Sequence, residues 1–217
     1  MQKTIRGKVY YELFPSLYPL FSSLDGYRSV VREIISSFSF IKSADHILDA
    51  GCGDGLVSFS LADKFSSVSV VGFDISREMI QKSLEKKDKK HYSNISFYLG
   101  DFEDPSNLLS VNGIERILRK EEFDHIFVAG ALEYSDANET IRRLSPYLKK
   151  GGNFIAIIIR DNAHGKLVGR MTGFKPYSQK EILSFFHNDG YAPEALTLYS
   201  SKKWASRFLS TVVAKKS

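Results

Sequence analysis

The stretch Leu48-Asp49-Ala50-Gly51-Cys52-Gly53-Asp54-Gly55 decides how this chain is read. His46 to Ala50 form a short, mostly apolar run of strand length that leads into the glycines. After them Val57, Leu61 and Phe65 recur at four-residue spacing, the mark of one buried helix face. Glycines between a strand and a helix permit positive φ and leave room for a ligand against bare backbone, while the helix N-terminus offers unused amide donors. Such a loop suits a polar, extended ligand. The spacing is G-x-G-x-G, and Leu56 stands where the G-x-G-x-x-G of dinucleotide sites has its third glycine, which disfavours pyrophosphate.

Working outward, short apolar runs alternate with helical patterns from residue 46 on, which predicts repeated βα units and a mostly parallel sheet. A second strand covers Val68 to Phe73, followed by Asp74 and a helix capped by Ser76 and running to about Lys87. A third strand covers Ile95 to Leu99, helical residues lie near Ser106 to Leu118, and a fourth strand, Asp124 to Ala129, reads as buried on both faces. The next helix, about Ala137 to Lys149, contains Pro146, which should kink or divide it, and Gly151-Gly152 end it. A fifth strand spans Phe154 to Arg160, and Ser178-Gln179-Lys180-Glu181 is a capping box opening a helix that Gly190 terminates. The last strands, Ala195 to Ser200 and Phe208 to Lys215, are too close for a parallel crossover and so must pair antiparallel. Ahead of the first strand, Tyr10 to Phe21 and Tyr27 to Phe40 read as two aromatic-rich helices, either covering the sheet or forming a lid.

Two acids follow strands on the edge where the glycine loop lies. Asp74 ends the second strand, where an acid can accept both hydroxyls of a ribose. Asp101, in Gly100-Asp101-Phe102 after the third, is placed to accept a hydrogen bond from an exocyclic adenine amine, with Phe102 against the ring. These residues together resemble the class I S-adenosylmethionine-dependent methyltransferases. The resemblance covers residues 44 to 160 well and the last two strands by pattern only. It implies a single Rossmann-like, doubly wound, seven-stranded mixed sheet with its last strand antiparallel and helices on both faces, occupying residues 44–217 behind an N-terminal helical cap, 1–43. It implies S-adenosylmethionine as cofactor and S-adenosylhomocysteine as product. By the same resemblance Asp49, Gly51, Cys52 and Gly53 approach the methionine moiety, Ile75 and Phe102 the adenine faces, and Ala129 and Gly130 the methionine tail and sulfonium. Lys150 stands where the family commonly has proline.

The acceptor is less legible. The tetrapeptide Asn/Asp-Pro-Pro-Tyr/Phe of exocyclic-amine methylating enzymes is absent after the fourth strand, which instead runs Ala129-Gly130-Ala131-Leu132-Glu133-Tyr134. The resemblance therefore favours a small-molecule acceptor, methylated on oxygen or nitrogen, and makes nucleic-acid bases less favoured. Glu133 and Tyr134 are candidates for a general base or substrate anchor, and His164 is a further base candidate. Arg160, Lys166, Arg170 and Lys175 in the loop after the fifth strand could hold an anionic acceptor, and Tyr11 and Tyr18 an aromatic one.

Composition limits the alternatives. Apolar residues at 43% and charged residues at 25% describe an ordinary globular chain of 217 residues, enough for one core. Cys52 is the only cysteine, so no internal disulfide can form, and the five histidines show no ligand spacing, so no metal is expected. The longest purely apolar run, Phe154 to Ile159, is far short of the roughly 20 residues of a membrane span. The stretch after Lys8 lacks a secretory pattern, and a cytoplasmic location is expected. The net charge of +5 is concentrated after residue 149, which keeps an RNA or protein methyltransferase as one rival. A non-catalytic S-adenosylmethionine-binding protein is another. An NAD-dependent oxidoreductase is disfavoured by Leu56, Asp101 and the lack of a separate substrate domain.

Overall fold

The computed structural model describes residues 25–173, 175–196 and 209–217. It is an α/β fold of Rossmann-like type around one mixed sheet of nine strands, ordered β5-β4-β3-β2-β1-β6-β7-β9-β8. The strands are β1 His46–Ala50, β2 Ser69–Asp74, β3 Ile95–Asp101, β4 Asp104–Leu109, β5 Glu115–Ile117, β6 Phe123–Ala129, β7 Leu148–Ile159, β8 Tyr191–Leu196 and β9 Leu209–Lys216. The helices are α1 Asp25–Ser37, α2 Leu56–Lys64, α3 Arg77–Lys90, α4 Ala137–Leu144, α5 Ala163–Thr172 and α6 Gln179–Asn188.

Strands β3, β2, β1, β6 and β7 are mutually parallel. Their side chains fill two cores because both faces are covered. Val31 and Ile35 of α1, Leu61 of α2 and Ile80 of α3 pack on one face with Ile47 and Phe127. Ile141 and Leu144 of α4 and Ile182 and Phe186 of α6 pack on the other with Leu48, Ile126 and Phe154. The chain leaves β1 toward β2 on one side and reaches β6 on the other, so β1 and β6 flank a topological switch point, where a crevice opens beyond the C-terminal ends of the strands.

Most of the predicted elements are present. Ser76 caps α3 by accepting from the Met79 N–H at 3.4 Å, and the helix runs on through the lysine run to His91, whose φ of 58° ends it. The capping box at Ser178 and Glu181 is formed in full. Pro146 divides the fourth helix from a separate 3-10 turn, Ser145–Tyr147. Strand β9, last in the chain, is antiparallel to both β7 and β8.

Four expectations are corrected. The sheet has nine strands instead of seven, because residues 104–117 form a hairpin, β4–β5, and not a helix. The Asn112-Gly113 pair makes its turn, with Gly113 at φ +82 and Ser110 N–H donating to Ile114 O at 2.8 Å. Leucines and isoleucines spaced as on a helix here alternate across an edge ribbon, so that Leu108 is buried while Ile114 and Ile117 are each 69% exposed. Second, Gly151-Gly152 lie inside β7, at an irregularity between the Phe123–Leu148 and His125–Asn153 pairs. Third, β8 starts at Tyr191, directly after Gly190, and tolerates Pro193 because it is an edge strand. Fourth, the basic segment after β7 is largely helical, since Asn162 caps α5 by accepting from the Gly165 N–H at 2.9 Å. Of the aromatic N-terminal helices, the second begins at Asp25 and ends at Ser37, and Tyr10 to Phe21 lies outside the described residues.

Candidate functional site

The glycine loop is held by its neighbour strand. The N–H groups of Gly51 and Cys52 both donate to Phe73 O of β2, at 2.8 and 2.9 Å, and the Gly53 N–H donates to Asp74 Oδ2 at 2.8 Å. Gly51 takes φ +73, and a Cβ there would lie 2.6 Å from the Ala131 Cβ and 3.0 Å from the Phe102 ring. Three strand ends, β1, β6 and β3, therefore converge on one bare piece of backbone. Gly55 at φ +80 opens α2 without a side-chain cap.

Buried acids surround this loop. Asp49 is 1% exposed, and its Oδ2 accepts from both the N–H and the hydroxyl of Ser58, at 3.0 and 2.6 Å, while Oδ1 meets no hydrogen-bond partner among the described residues. Burial pushes its pKa up to about 7 against the pull of the Ser58 bonds. Asp74 accepts from Gly53 through Oδ2 and from the Ser76 N–H through Oδ1 at 2.9 Å, which fixes its carboxylate at the end of β2. Cys52 is buried, with its thiol pushed up by burial and by the nearby acids.

Beside it, Phe102 packs edge-on against Phe73, and the Asp101 Oδ1 accepts from the Glu103 N–H at 3.0 Å in the tight turn joining β3 to β4. Ile75 is half-buried after β2. Arg143 of α4 donates to the carbonyl of Glu103 at 2.8 Å and so braces the same turn.

On the far side of the switch point, Ala129 ends β6 and the Gly130 N–H donates to Ile157 O at 2.8 Å. The 3-10 turn Leu132–Tyr134 follows. Glu133, 2% exposed, accepts the Ile159 N–H through Oε1, while Oε2 has no partner among the described residues. Its own carbonyl accepts the Lys175 N–H at 2.9 Å. Burial pushes the Glu133 carboxyl up to about 7. Tyr134 is held well above its ordinary value, first by burial and then by Glu133.

Helix α1 reaches this edge through two residues. Arg28 pairs with Asp54 of the loop at 2.9 Å, and the Tyr27 hydroxyl lies over Gly130, 3.0 Å from where a Cβ would be. Burial, Glu133, Tyr134, Asp54 and Asp49 together keep that phenol protonated. Tyr27, Arg28 and Arg143 were invisible as site residues in the sequence, since each joins the edge from an element distant along the chain.

The structure thus brings together Asp49, Gly51, Cys52, Gly53, Asp74, Ile75, Asp101, Phe102, Ala129, Gly130, Glu133 and Tyr134 along one edge of the sheet. Arg160 lies just past β7, its Nε donating to Leu209 O at 2.8 Å. Arg170 is exposed in the last turn of α5. His164 falls in the first turn of α5, and its side chain, like Tyr11 and Tyr18, lies outside the described residues. Among the described residues, no group of three or more His, Cys, Asp or Glu is placed to hold a metal ion, and no helix is long and apolar enough to cross a membrane.

A family model described as a methyltransferase domain matches residues 41–190. The chain belongs to this family. Its fold is shared by an S-adenosylmethionine-dependent methyltransferase from Aquifex aeolicus at TM-score 0.64 and 18% identity, covering 89% of this chain and 92% of that one. Among curated relatives, it is 23% identical over 128 residues to a probable (S)-tetrahydroprotoberberine N-methyltransferase of Papaver bracteatum, covering 58% of this chain and 32% of that one. It is 25% identical over 156 residues to a malonyl-[acyl-carrier protein] O-methyltransferase of Ilyobacter polytropus, covering 61% of this chain and 60% of that one. The chain spans 32% to 60% of the length of the curated relatives it matches. A Haloferax volcanii methyltransferase, solved in complex with a methyltransferase activator, shares the fold at TM-score 0.71 and 18% identity, covering 96% of this chain and 98% of that one.

Proposed function

We propose that the protein transfers a methyl group from S-adenosylmethionine to the oxygen or nitrogen of a small-molecule acceptor. The observation that carries this is the G-x-G-x-G loop, bent back onto β2 by its own amides and left bare at Gly51 where three strand ends meet. S-adenosylmethionine fits the donor set: its ammonium and sulfonium match a crevice of buried acids, and Asp49 offers an oxygen without a partner. When bound, it supplies a methyl carbon already activated by positive sulfur and leaves as S-adenosylhomocysteine.

The residues of the chain bind, orient and exclude water. Asp49 and the backbone of Gly51, Cys52 and Gly53 hold the methionine end, with Ala129 and Gly130 facing it across the switch point. Asp74 accepts the ribose hydroxyls: each of its oxygens takes one backbone N–H, which locks the carboxylate at the end of β2. Ile75 and Phe102 sandwich the adenine, and Asp101 reads its amine. Residues 44–217 carry this transferase domain, and residues 1–43 cap the crevice, a role supported by Tyr27 over Gly130 and Arg28 on Asp54. Alignment within a closed crevice is the main catalytic requirement.

A small acceptor is supported by the absence of the Asn/Asp-Pro-Pro-Tyr/Phe motif after β6 and by the (S)-tetrahydroprotoberberine named for the Papaver relative. Glu133 and Tyr134 face that acceptor in this reading, with His164, Arg160, Arg170, Tyr11 and Tyr18 as further candidates around it. Calorimetric titration with S-adenosylmethionine and, separately, with NAD tests the assignment. Binding of the first alone, weakened by Asp74→Ala, is the expected result; no binding by the folded protein would overturn it.

A further inference from the structure

We infer that Glu133 Oε2 is the binding site for a positively charged amine of the acceptor, and that the protein is an N-methyltransferase of basic small molecules. This rests on the small-molecule reading above and narrows it.

Glu133 is fully enclosed, yet only half of its carboxylate is used: Oε1 takes the Ile159 N–H, and Oε2 meets no partner among the described residues. A buried carboxylate oxygen is tolerated when it keeps a proton or receives a cation. The described chain supplies no cation there. Arg28 of α1 is committed to Asp54. Lys175, whose backbone touches Glu133, holds its ammonium 4.4 Å over the Tyr177 ring and 3.8 Å from Glu181. Tyr27 of α1 and Tyr134 of its own turn both feel its charge, and burial holds both phenols protonated. Neutral phenols near a buried acid suit an organic cation.

Glu133, Asp54 and Asp49 all act on Tyr27, and of these Asp54 is already paired with Arg28. A carboxylate oxygen at the Oε2 position can accept a proton from an ammonium. In the productive complex the ammonium gives its proton to Oε2, leaving a carboxylic acid and an amine with a free lone pair. That lone pair forms the N–C bond to the methyl carbon while the C–S bond breaks, its electron pair staying on sulfur. The methylated nitrogen carries the positive charge away, and Glu133 returns its proton to solvent.

The test uses the full chain and matched compounds: 2-phenylethylamine, 2-phenylethanol and phenylacetate, with the same triplet on benzyl and indolylethyl frameworks. Two readouts are taken, calorimetric binding to the protein loaded with S-adenosylhomocysteine and methyl transfer with S-adenosylmethionine. Amines alone should bind and turn over. Glu133→Gln, which keeps an oxygen for the Ile159 N–H, should hold S-adenosylmethionine within about twofold while losing about 100-fold in kcat/KM for the amine. The rise of wild-type kcat/KM through neutral pH should vanish with it. Preference for alcohols or carboxylates, or an unimpaired Glu133→Gln, overturns the inference and leaves the small-molecule reading standing. Binding of S-adenosylmethionine with no compound of any class methylated removes both. The preference of the wild-type protein decides even if the variant does not fold.

Discussion

The two halves of the crevice solve the same problem differently. On the β1–β2 side, Asp74 and the loop amides satisfy one another within a few residues of the strand ends. On the β6–β7 side, Glu133 reaches the N–H of Ile159, 26 residues away, and still leaves one oxygen unmatched. Each half keeps one buried carboxylate oxygen without a partner among the described residues, Asp49 Oδ1 on the first side and Glu133 Oε2 on the second. What differs is reach: the first half is built from near neighbours of the strand ends, the second from groups far apart in the chain.

The largest effect should come from filling the glycine-loop half. Gly51→Val places a Cβ 2.6 Å from the Ala131 Cβ at φ +73, and should abolish S-adenosylmethionine binding in calorimetry, at least 100-fold, and cost about 2–4 kcal/mol in denaturant unfolding. Gly151→Ala, at nearly the same φ of +74 but with nothing within 4 Å, should cost only about 1 kcal/mol and leave binding intact. Equal losses in the two would break the argument that the cradle, and not backbone strain, carries the site.

Next, Asp74→Ala removes the acceptor for two backbone N–H groups and, in the proposed mode, for the ribose. S-adenosylmethionine affinity should fall by about 10- to 100-fold and stability by about 1–2 kcal/mol. Unchanged affinity would move the ribose elsewhere.

A smaller, pH-dependent effect separates the halves again. Asp49 and Glu133 are raised from 3.8 and 4.5 to about 7, so the folded protein holds more protons than the unfolded chain between roughly pH 4 and 7. Their contribution is therefore full below pH 4 and lost as pH rises through 7, by at most about 1.4 kcal/mol per pH unit for each group. The melting temperature of the unliganded protein should fall across that window. Glu133→Gln should flatten the fall and raise the melting temperature at pH 8, at roughly 2–4 °C per kcal/mol. A slope identical to wild type would show that Glu133 does not titrate there.

The smallest effect belongs to the sheet edge. Ile117→Thr on β5, 69% exposed, should change stability by less than about 0.5 kcal/mol and leave S-adenosylmethionine binding unaltered. Any loss of binding would tie the edge hairpin to the crevice.

How much of this was legible depended on locality. The loop, Asp74 and Asp101 could be read because each sits at a strand end marked by its own neighbours. The β4–β5 hairpin was misread because Val111, Ile114 and Leu118 mimic helical spacing, while the Asn112-Gly113 turn that overrides it spans only two residues. The glycine pair in β7 was taken for a helix end because it interrupts an otherwise plain strand pattern. Tyr27 and Arg28 gave no signal, since an amphipathic helix does not show in its sequence what its first turn will touch.

By itself, then, the sequence determined the parallel core and the half of the site built from strand ends, since apolar periodicity and glycine spacing act through bonds and sterics between near neighbours. Only the tertiary structure decided the sheet edge, the reach of α1 onto the loop, and the unpartnered buried oxygens of Asp49 and Glu133. These depend on which distant groups meet, and on whether a buried polar atom finds a partner when they do.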